Sequence, residues 1–223
     1  MPDNHTGQPG SLRRPTIPLW VKVPYTAFVA VLVPYYWRTY GPLNFLWFCD
    51  IALLVTLAAL WFESPFLFSM QAVAITLPQL LWVVDFMARV AGVHLLGVAA
   101  YMFDPQIPLF VRGLSSFHGW LPFLLVWAVR RLGYDRRALA AQTLVALVLL
   151  PICYFFTPRP PAPADDPTAA VNLNWVFGPG EAVVQTWMAP GLYLAVQMAF
   201  WPLVIYLPTH LLFKKLWAKP RST

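Results

Sequence analysis

The sequence predicts an all-α fold, a polytopic transmembrane helical bundle of six to seven spans. Of its 223 residues, 59% are hydrophobic and only 11% are charged, whereas a soluble domain carries about 25% charged residues. A helical span needs about 20 mainly apolar residues, and apolar segments cover most of the chain. The spans are expected at 19–37, 43–62, 66–86, 90–103, 108–129, 138–156 and 188–213.

The fourth expected span is the least regular. It covers 90–103, only 14 residues, which is short for a bilayer crossing. The stretch 64–103 is therefore open to a second interpretation, as one span followed by a re-entrant or tilted segment. The two interpretations give seven and six crossings.

Three further segments complete the domain organisation. A polar, proline-bearing N-terminal tail covers 1–18, the transmembrane domain covers 19–217, and a basic tail covers 218–223. Within the domain, 157–187 is expected to be an extramembrane loop. Its first half, TPRPPAPADDPTAA, is typical of an exposed linker. Its second half, VNLNWVFGPGE, mixes amide and aromatic groups and predicts a cap at the membrane interface.

The distribution of basic residues predicts the orientation. The net charge is +6, but the Lys and Arg residues lie at the ends of apolar segments and form no extended basic face, so no nucleic-acid partner is expected. Counted for seven spans, five lie on the N-terminal side and ten on the other. The positive-inside rule then predicts a cell-membrane protein with its C-terminus in the cytoplasm and its N-terminus outside.

Polar side chains within the spans are the candidates for function, because each is unfavourable in hydrocarbon unless it is paired, hydrated or used. They are Asn44, Cys49, Asp50, Gln79, Asp85, His94, His118 and Gln142. Two of them have a structural interpretation. Asp85 and Arg89 have the i, i+4 spacing of a helical salt bridge, and His94 is placed to reach the headgroups.

Cys49, Asp50 and His118 are the predicted site residues. Asp50 has no basic residue within a helical turn, so we expect a polar partner from another helix. A lone cysteine such as Cys49 is more often a small apolar filler than a nucleophile. His118, in LSSFHGWLP, is positioned either for proton transfer at the membrane surface or for simple packing among aromatic rings.

Three features resemble a known family: the apolar helix with Cys49, the FDPQIP stretch before the helix with His118, and the later NLNWVFG segment. Over 41–178 the chain resembles the YwaF/TMEM-type multi-span membrane family, which includes acyltransferases and androgen-induced-type lipid hydrolases. The resemblance implies a Cys or Thr nucleophile on one helix and a histidine on another, acting on acyl esters of lipids. Cys49 and His118 are the matching positions.

The first functional hypothesis is therefore a lipid-directed hydrolase or acyltransferase. His118 takes the thiol proton of Cys49, and the thiolate attacks a lipid ester, which releases the alcohol and leaves an acyl-enzyme for water or a second lipid. Asp50 or Asn174 would orient the histidine. With seven alternating spans, however, Cys49 and His118 begin at opposite faces, so a dyad requires a different fourth segment.

Two alternatives come from other classes. In a small-solute or proton-coupled transporter or channel, Asp50, Asp85, His94 and His118 would line the path. In a structural or assembly subunit, the aromatic surface would bind lipids or partner membrane subunits. Membrane lipids are the expected partners in every case. Neither a cofactor nor a metal is expected, since the sequence has no glycine-rich phosphate loop, CxxCH, HxxxH or HExxH motif.

Overall fold

Helices form at six of the seven expected spans. The computed structural model describes residues 16–180 and 183–218, so most of the tails 1–18 and 218–223 lies outside the described residues. The helices are α1 (Leu19–Tyr40), α2 (Phe48–Phe62), α3 (Pro65–Val90), α4 (Leu109–Ser115), α5 (Phe117–Leu132), α6 (Ala138–Phe156), α7 (Pro190–Phe200) and α8 (Leu207–Trp217). Only Ser116 separates α4 from α5, and a π-helical turn at Trp201–Tyr206 joins α7 to α8.

The described helices confirm the all-helical architecture, and their length and composition are compatible with an integral membrane protein. Five continuous helical segments are long and apolar enough to cross a membrane; they are Leu19–Tyr40, Pro65–Val90, Leu109–Leu132, Ala138–Phe156 and Pro190–Trp217. The sixth apolar helix, α2, has 15 residues and extends about 22 Å at 1.5 Å per residue. That length is less than the hydrocarbon thickness of about 30 Å.

The expected span over 90–103 is wrong. The chain leaves α3 at Val90 and turns at Gly92 and Gly97, whose φ angles of 79° and 80° lie in the left-handed region that favours glycine. The Asp85 carboxylate accepts three backbone N–H groups of this segment, from Leu96, Gly97 and Ala99, at 2.7, 3.1 and 2.8 Å. These bonds fold the segment back over the end of α3.

The same geometry corrects the predicted Asp85–Arg89 salt bridge. Among the described residues, the salt bridges are Lys22–Glu63 and Arg137–Asp135, and Asp85 uses its oxygens on the loop instead. Arg89 lies over the Phe103 ring, 5.7 Å from its centroid. His94 is exposed, which agrees with a histidine that reaches the surface. Asp85 is thus a structural residue.

Helix α3 lies at the centre of the bundle, packed against α2, α5, α6 and α8. Its start is fixed by the Ser64 hydroxyl, which accepts the Leu67 N–H at 3.3 Å, and by Pro65 at the first helical position. Its first half is buried on all sides: residues 68–76 are all buried. Small residues at Ala72 and Ala74 let the neighbouring helices approach.

One end of the bundle, which we call the basic end, comprises residues 16–22, 63–69, 130–138 and 210–218. Side-chain contacts join these segments: the Lys22 ammonium donates to Glu63 Oε1 at 2.7 Å, Arg131 Nε donates to the Thr16 carbonyl at 2.7 Å, and the Asp135 N–H donates to the Ser69 hydroxyl at 2.9 Å. A hydrogen bond of 2.7 Å also joins the Tyr134 hydroxyl to His210 Nδ1.

The opposite end, which we call the cap end, comprises residues 36–50, 85–118, 153–180 and 183–190. The Thr168 hydroxyl donates to the Thr39 carbonyl at 3.0 Å, and the Phe48 N–H donates to Asn174 Oδ1 at 2.9 Å. The chain passes back and forth between these two ends. Successive passes run in opposite directions and are formed by α1, α2, α3, α4–α5, α6 and α7–α8.

The outer surface of the helices is apolar. Trp20, Phe62, Leu109 and Phe156 have exposed fractions of 73%, 78%, 77% and 75%, and many other large hydrophobic side chains are also exposed. Monomeric soluble proteins rarely present contiguous apolar surface of this extent. The surface is that expected of helices that face lipid.

The Lys22–Glu63 ion pair gives a pH-dependent stability. The hydrogen bond from Lys22 to the Glu63 carboxylate is the main cause that holds the pKa of Glu63 below its usual range. The hydrogen bond from the Ile17 N–H to the same carboxylate also lowers this pKa. A depressed carboxyl pKa stabilises the fold above the unfolded-state value of about 4.3, and this stabilisation is lost as the pH falls through the lower folded-state pKa.

We expect Glu63→Gln to lower the free energy of unfolding at pH 7 by about 1.5 kcal/mol, the contribution of a hydrogen bond to a charged group. Thermal unfolding of the detergent-solubilised protein measures it. The difference between wild type and variant should shrink below pH 4. A difference that persists unchanged at low pH would show that the charge of Glu63 is not what stabilises this end.

Candidate functional site

Asp50 is the buried carboxylate of the cap end. It lies in the first turn of α2 and is 3% exposed. Asn44 Nδ2 donates to its Oδ2 at 3.2 Å, while its Oδ1 is buried and has no hydrogen-bond partner among the described residues. The prediction that Asp50 meets a polar partner is correct, but that partner comes from the turn before the same helix and not from another helix.

The chain before α2 is shaped to place this pair. Helix α1 ends at Tyr40 and is followed by Gly41, where φ is 75°. Pro42 then begins a 3-10 turn over Pro42–Leu46 that holds Asn44. Trp47 is extended and starts α2. The turn and the helix start are therefore adjacent, and Asp50 also lies where a helix dipole favours a negative group.

Two asparagines build the cap over this end. Asn174 accepts the Phe48 N–H through Oδ1 and donates through Nδ2 to the Leu46 carbonyl at 2.8 Å and to Cys153 Sγ at 3.4 Å. Asn172 accepts the Phe177 N–H at 2.7 Å and donates to the Gly178 carbonyl at 2.9 Å. Both have left-handed φ angles, 48° and 54°, which asparagine tolerates.

The segment VNLNWVFG, for which a cap at the membrane interface was expected, packs into the described bundle. Asn172 and Asn174 are 0% and 2% exposed, so the segment is an internal part of the bundle. Asn174 supplies a hydrogen-bond acceptor to a first-turn N–H of α2, the role normally played by a local N-cap residue. It thereby ties the loop before α7 to the start of α2 and to α6.

His118 lies in the first turn of α5, at the same end. Its Nδ1 is 2.8 Å from the Ser115 carbonyl; because a carbonyl only accepts, Nδ1 carries the proton and Nε2 of the neutral ring is the basic nitrogen. The ring stacks on Trp82, with centroids 5.6 Å apart. The Ser115 hydroxyl is hydrogen bonded to the Tyr36 hydroxyl at 2.8 Å.

Cys49 and His118 begin their helices at the same end of the bundle. The expectation that they start from opposite faces is wrong, because it depended on the crossing at 90–103 that the chain does not make. In the part of the chain that the structure describes, no hydrogen bond joins the Cys49 thiol to His118. His118 is instead held by Ser115 and Trp82, and neither Asp50 nor Asn174 is bonded to it.

Tyr101, in the loop between α3 and α4, belongs to the same neighbourhood. Burial raises the pKa of its phenol, and the proximity of Cys49 and Asp50 adds to this when they are ionised. The phenol therefore stays protonated and remains a hydrogen-bond donor. Sequence patterns did not single out Tyr36, Trp82 or Tyr101, since aromatic residues in apolar runs are typical of any membrane helix.

A line of polar side chains continues from this site along α3. Gln71, Gln79 and Trp82 lie within a narrow angular range of the helix, and a rise of 1.5 Å per residue separates the first from the last by about 16 Å. Gln71 Oε1 and both amide atoms of Gln79 are buried without a partner among the described residues. The Thr76 hydroxyl is in the same condition.

These unpartnered atoms are unusual for a protein interior. Buried side-chain polar atoms are in large majority hydrogen bonded, and each one that is not costs about 1–3 kcal/mol. Within the described residues no group of three or more His, Cys, Asp or Glu side chains is arranged to hold a metal ion. The arrangement can hold water molecules, which satisfy such groups in polar interiors.

The comparisons with known proteins find no relative. No family model matches the chain, and neither a curated protein nor a solved structure matches it.

Proposed function

We propose that the chain is an integral membrane protein of six crossings that carries protons, alone or coupled to a small solute, and that Asp50 is its proton-binding group. The observation that supports this most is the buried Oδ1 of Asp50, which has no partner in the described chain. A carboxylate in a membrane interior is several kcal/mol unfavourable unless it is protonated, paired or hydrated. An incompletely paired carboxylate is therefore suited to gain and lose a proton.

The polar line on α3 supplies the continuation of the path. Gln79 and Gln71 reach from the level of Asp50 towards the basic end, and both are at most 3% exposed. Amide and hydroxyl groups that lack protein partners hold water molecules in place, and protons move along hydrogen-bonded water. A proton path requires such buried groups because they hold its water molecules. A purely structural bundle would be more stable with apolar side chains at these positions.

Six crossings keep the predicted cytoplasmic C-terminus and change the predicted side of the N-terminus. With α2 counted as a crossing and 90–103 as a loop, eleven Lys and Arg residues fall on the side of the basic end and four on the side of the cap end; these four are Arg38, Arg89, Arg112 and Arg159. This bias is stronger than the ten to five expected for seven spans. The positive-inside rule then places both termini in the cytoplasm.

We expect a reporter that works only in the cytoplasm to be active when it is fused to the N-terminus or to the C-terminus. A reporter that works only outside should be inactive at both ends. A third fusion, inserted at Asp165 in the linker, should be active only outside. The C-terminal result alone does not separate six crossings from seven, so the N-terminal fusion is decisive. An N-terminal reporter that is active outside would restore the seven-span arrangement.

Proton movement is measured in sealed liposomes that contain the purified protein, a pH-sensitive dye inside and an imposed pH gradient. We expect the gradient to decay faster than in protein-free liposomes of the same lipid, with valinomycin and potassium present to remove charge build-up. Decay at the protein-free rate, with and without a panel of small solutes, would contradict the proposed function.

A lipid-directed acyl enzyme is the second candidate, favoured by the placement of Cys49 and His118 at one end and by the resemblance to the YwaF/TMEM-type family. Incubation with an activated long-chain acyl ester should then form a hydroxylamine-sensitive thioester on Cys49. The chain has only two cysteines, so Cys153→Ser is a matched control that should keep the label while Cys49→Ser loses it. Equal labelling of both variants would remove this candidate.

A further inference from the structure

The lipid-facing surface between α1 and α5 contains a groove with a volume of about 460 Å³. Its lining is apolar and strongly aromatic, with Trp20 and Phe28 on α1 and Trp120, Leu124 and Trp127 on α5. Trp120 is in edge-to-face contact with Phe28, with 5.2 Å between ring centroids. From Trp127 to Trp120 the groove extends about 10 Å along α5.

Arg131 supplies a cation at the basic end of the groove. Arg131 follows Trp127 by one helical turn and covers its ring, with the guanidinium carbon 5.7 Å from the centroid. Its Nε donates to the Thr16 carbonyl, just before α1. Arg131 therefore connects the two walls of the groove at the basic end.

The guanidinium retains unused hydrogen-bonding capacity. Arginine has five N–H donors, and in the part of the chain that the structure describes only Nε of Arg131 is bonded. The remaining donors form a planar fork that matches phosphate geometry. An apolar groove with a phosphate-binding cation at its end fits an amphipathic molecule with an anionic head.

We propose that this groove binds one acyl chain of an anionic phospholipid whose phosphate is held by Arg131. The basic end is the end where the proposed orientation puts the cytoplasmic leaflet, in which anionic lipids attract basic residues. Trp20 and Trp127 lie at the level where aromatic side chains meet the headgroup region. The site is separate from the polar interior and does not depend on proton movement.

Native mass spectrometry of the full chain tests the proposal. The protein is released from detergent that contains an equal mixture of phosphatidylglycerol and phosphatidylcholine of the same chain length. We expect the wild type to retain phosphatidylglycerol in preference. Arg131→Gln should lower that preference about fivefold, the equivalent of about 1 kcal/mol per basic residue at an anionic surface. Arg130→Gln is the matched control, because it removes the same charge one residue away from the groove and should leave the preference unchanged.

A second variant tests the acyl-chain part. Leu124→Trp fills the groove while Arg131 stays in place, and it should lower the retention of phosphatidylglycerol while the protein elutes as the wild type does on size exclusion. The proposal is overturned if the wild type shows no preference, if Arg130→Gln and Arg131→Gln lower it equally, or if Leu124→Trp retains as much lipid as the wild type. Each of these results would indicate annular lipid only.

Discussion

Asp50→Asn liposomes should lose proton movement, with the gradient decaying at least about tenfold more slowly than with the wild type and close to the protein-free rate. The asparagine side chain has nearly the shape of aspartate and can still hydrogen bond with Asn44, but it does not take up and release a proton in the relevant pH range. The barrier to moving a proton through the cap end then rises. Without the carboxylate to bind it, the positive charge of the proton in hydrocarbon is strongly unfavourable.

Two control variants separate chemistry from folding. Asp104→Asn removes another carboxylate of the cap end, but Asp104 is exposed and should leave the rate unchanged. Asp50→Glu keeps the carboxyl group and should retain part of the rate. An Asp50→Asn protein that is folded and conducts protons at the wild-type rate would show that Asp50 only caps α2.

Asn174→Ala should lower the free energy of unfolding by about 3 kcal/mol. The amide makes hydrogen bonds to the Phe48 N–H and the Leu46 carbonyl and a contact to Cys153 Sγ, and alanine leaves these buried groups without partners at about 1–3 kcal/mol each. Thermal unfolding followed by tryptophan fluorescence measures the loss. Cys153 should also react faster with a maleimide.

Asn174→Gly isolates the hydrogen bonds from the backbone. The φ angle at position 174 is 54°, in the region that glycine adopts freely and alanine does not, at about 1–2 kcal/mol. The order of stability should therefore be wild type, then Asn174→Gly, then Asn174→Ala. If alanine is as stable as the wild type, the cap does not hold the start of α2.

The long helices were predictable from composition because burial in lipid requires uninterrupted apolar segments. The expected spans at 19–37, 66–86 and 138–156 correspond to α1, α3 and α6 within a few residues at each end. The segment 90–103 is similarly apolar, but its backbone is organised by Asp85, Gly92 and Gly97. A hydropathy pattern does not record which carboxylate accepts which backbone N–H, so it predicted a span where a loop forms.

The site was predictable only in part. Asp50 was identified because a carboxylate in an apolar run is unfavourable, and its burial agrees with that reasoning. Its partner Asn44 and the cap residue Asn174 are separated from it by 6 and 124 positions in sequence. The position of Asn44 is set by a 3-10 turn that apolar periodicity does not predict. The position of Asn174 depends on the left-handed backbone of a loop, which places this residue beside α2 through tertiary packing.

The placement of Cys49 and His118 shows how one miscounted crossing changes a functional interpretation. Seven alternating spans separate the two residues across the membrane, whereas the described helices start both at the cap end. Their common end became evident only when 90–103 proved to be a loop.

Protonation of Asp50 is the central claim, and infrared difference spectroscopy of the protein in lipid membranes tests it most directly. Wild-type spectra recorded over a pH series should contain the C=O stretch of a protonated carboxyl group that shifts in D₂O, changes amplitude with pH and is missing in Asp50→Asn. Asp104→Asn should keep this band. A band that is present in Asp50→Asn, or a wild type without any such band across the series, would contradict the account.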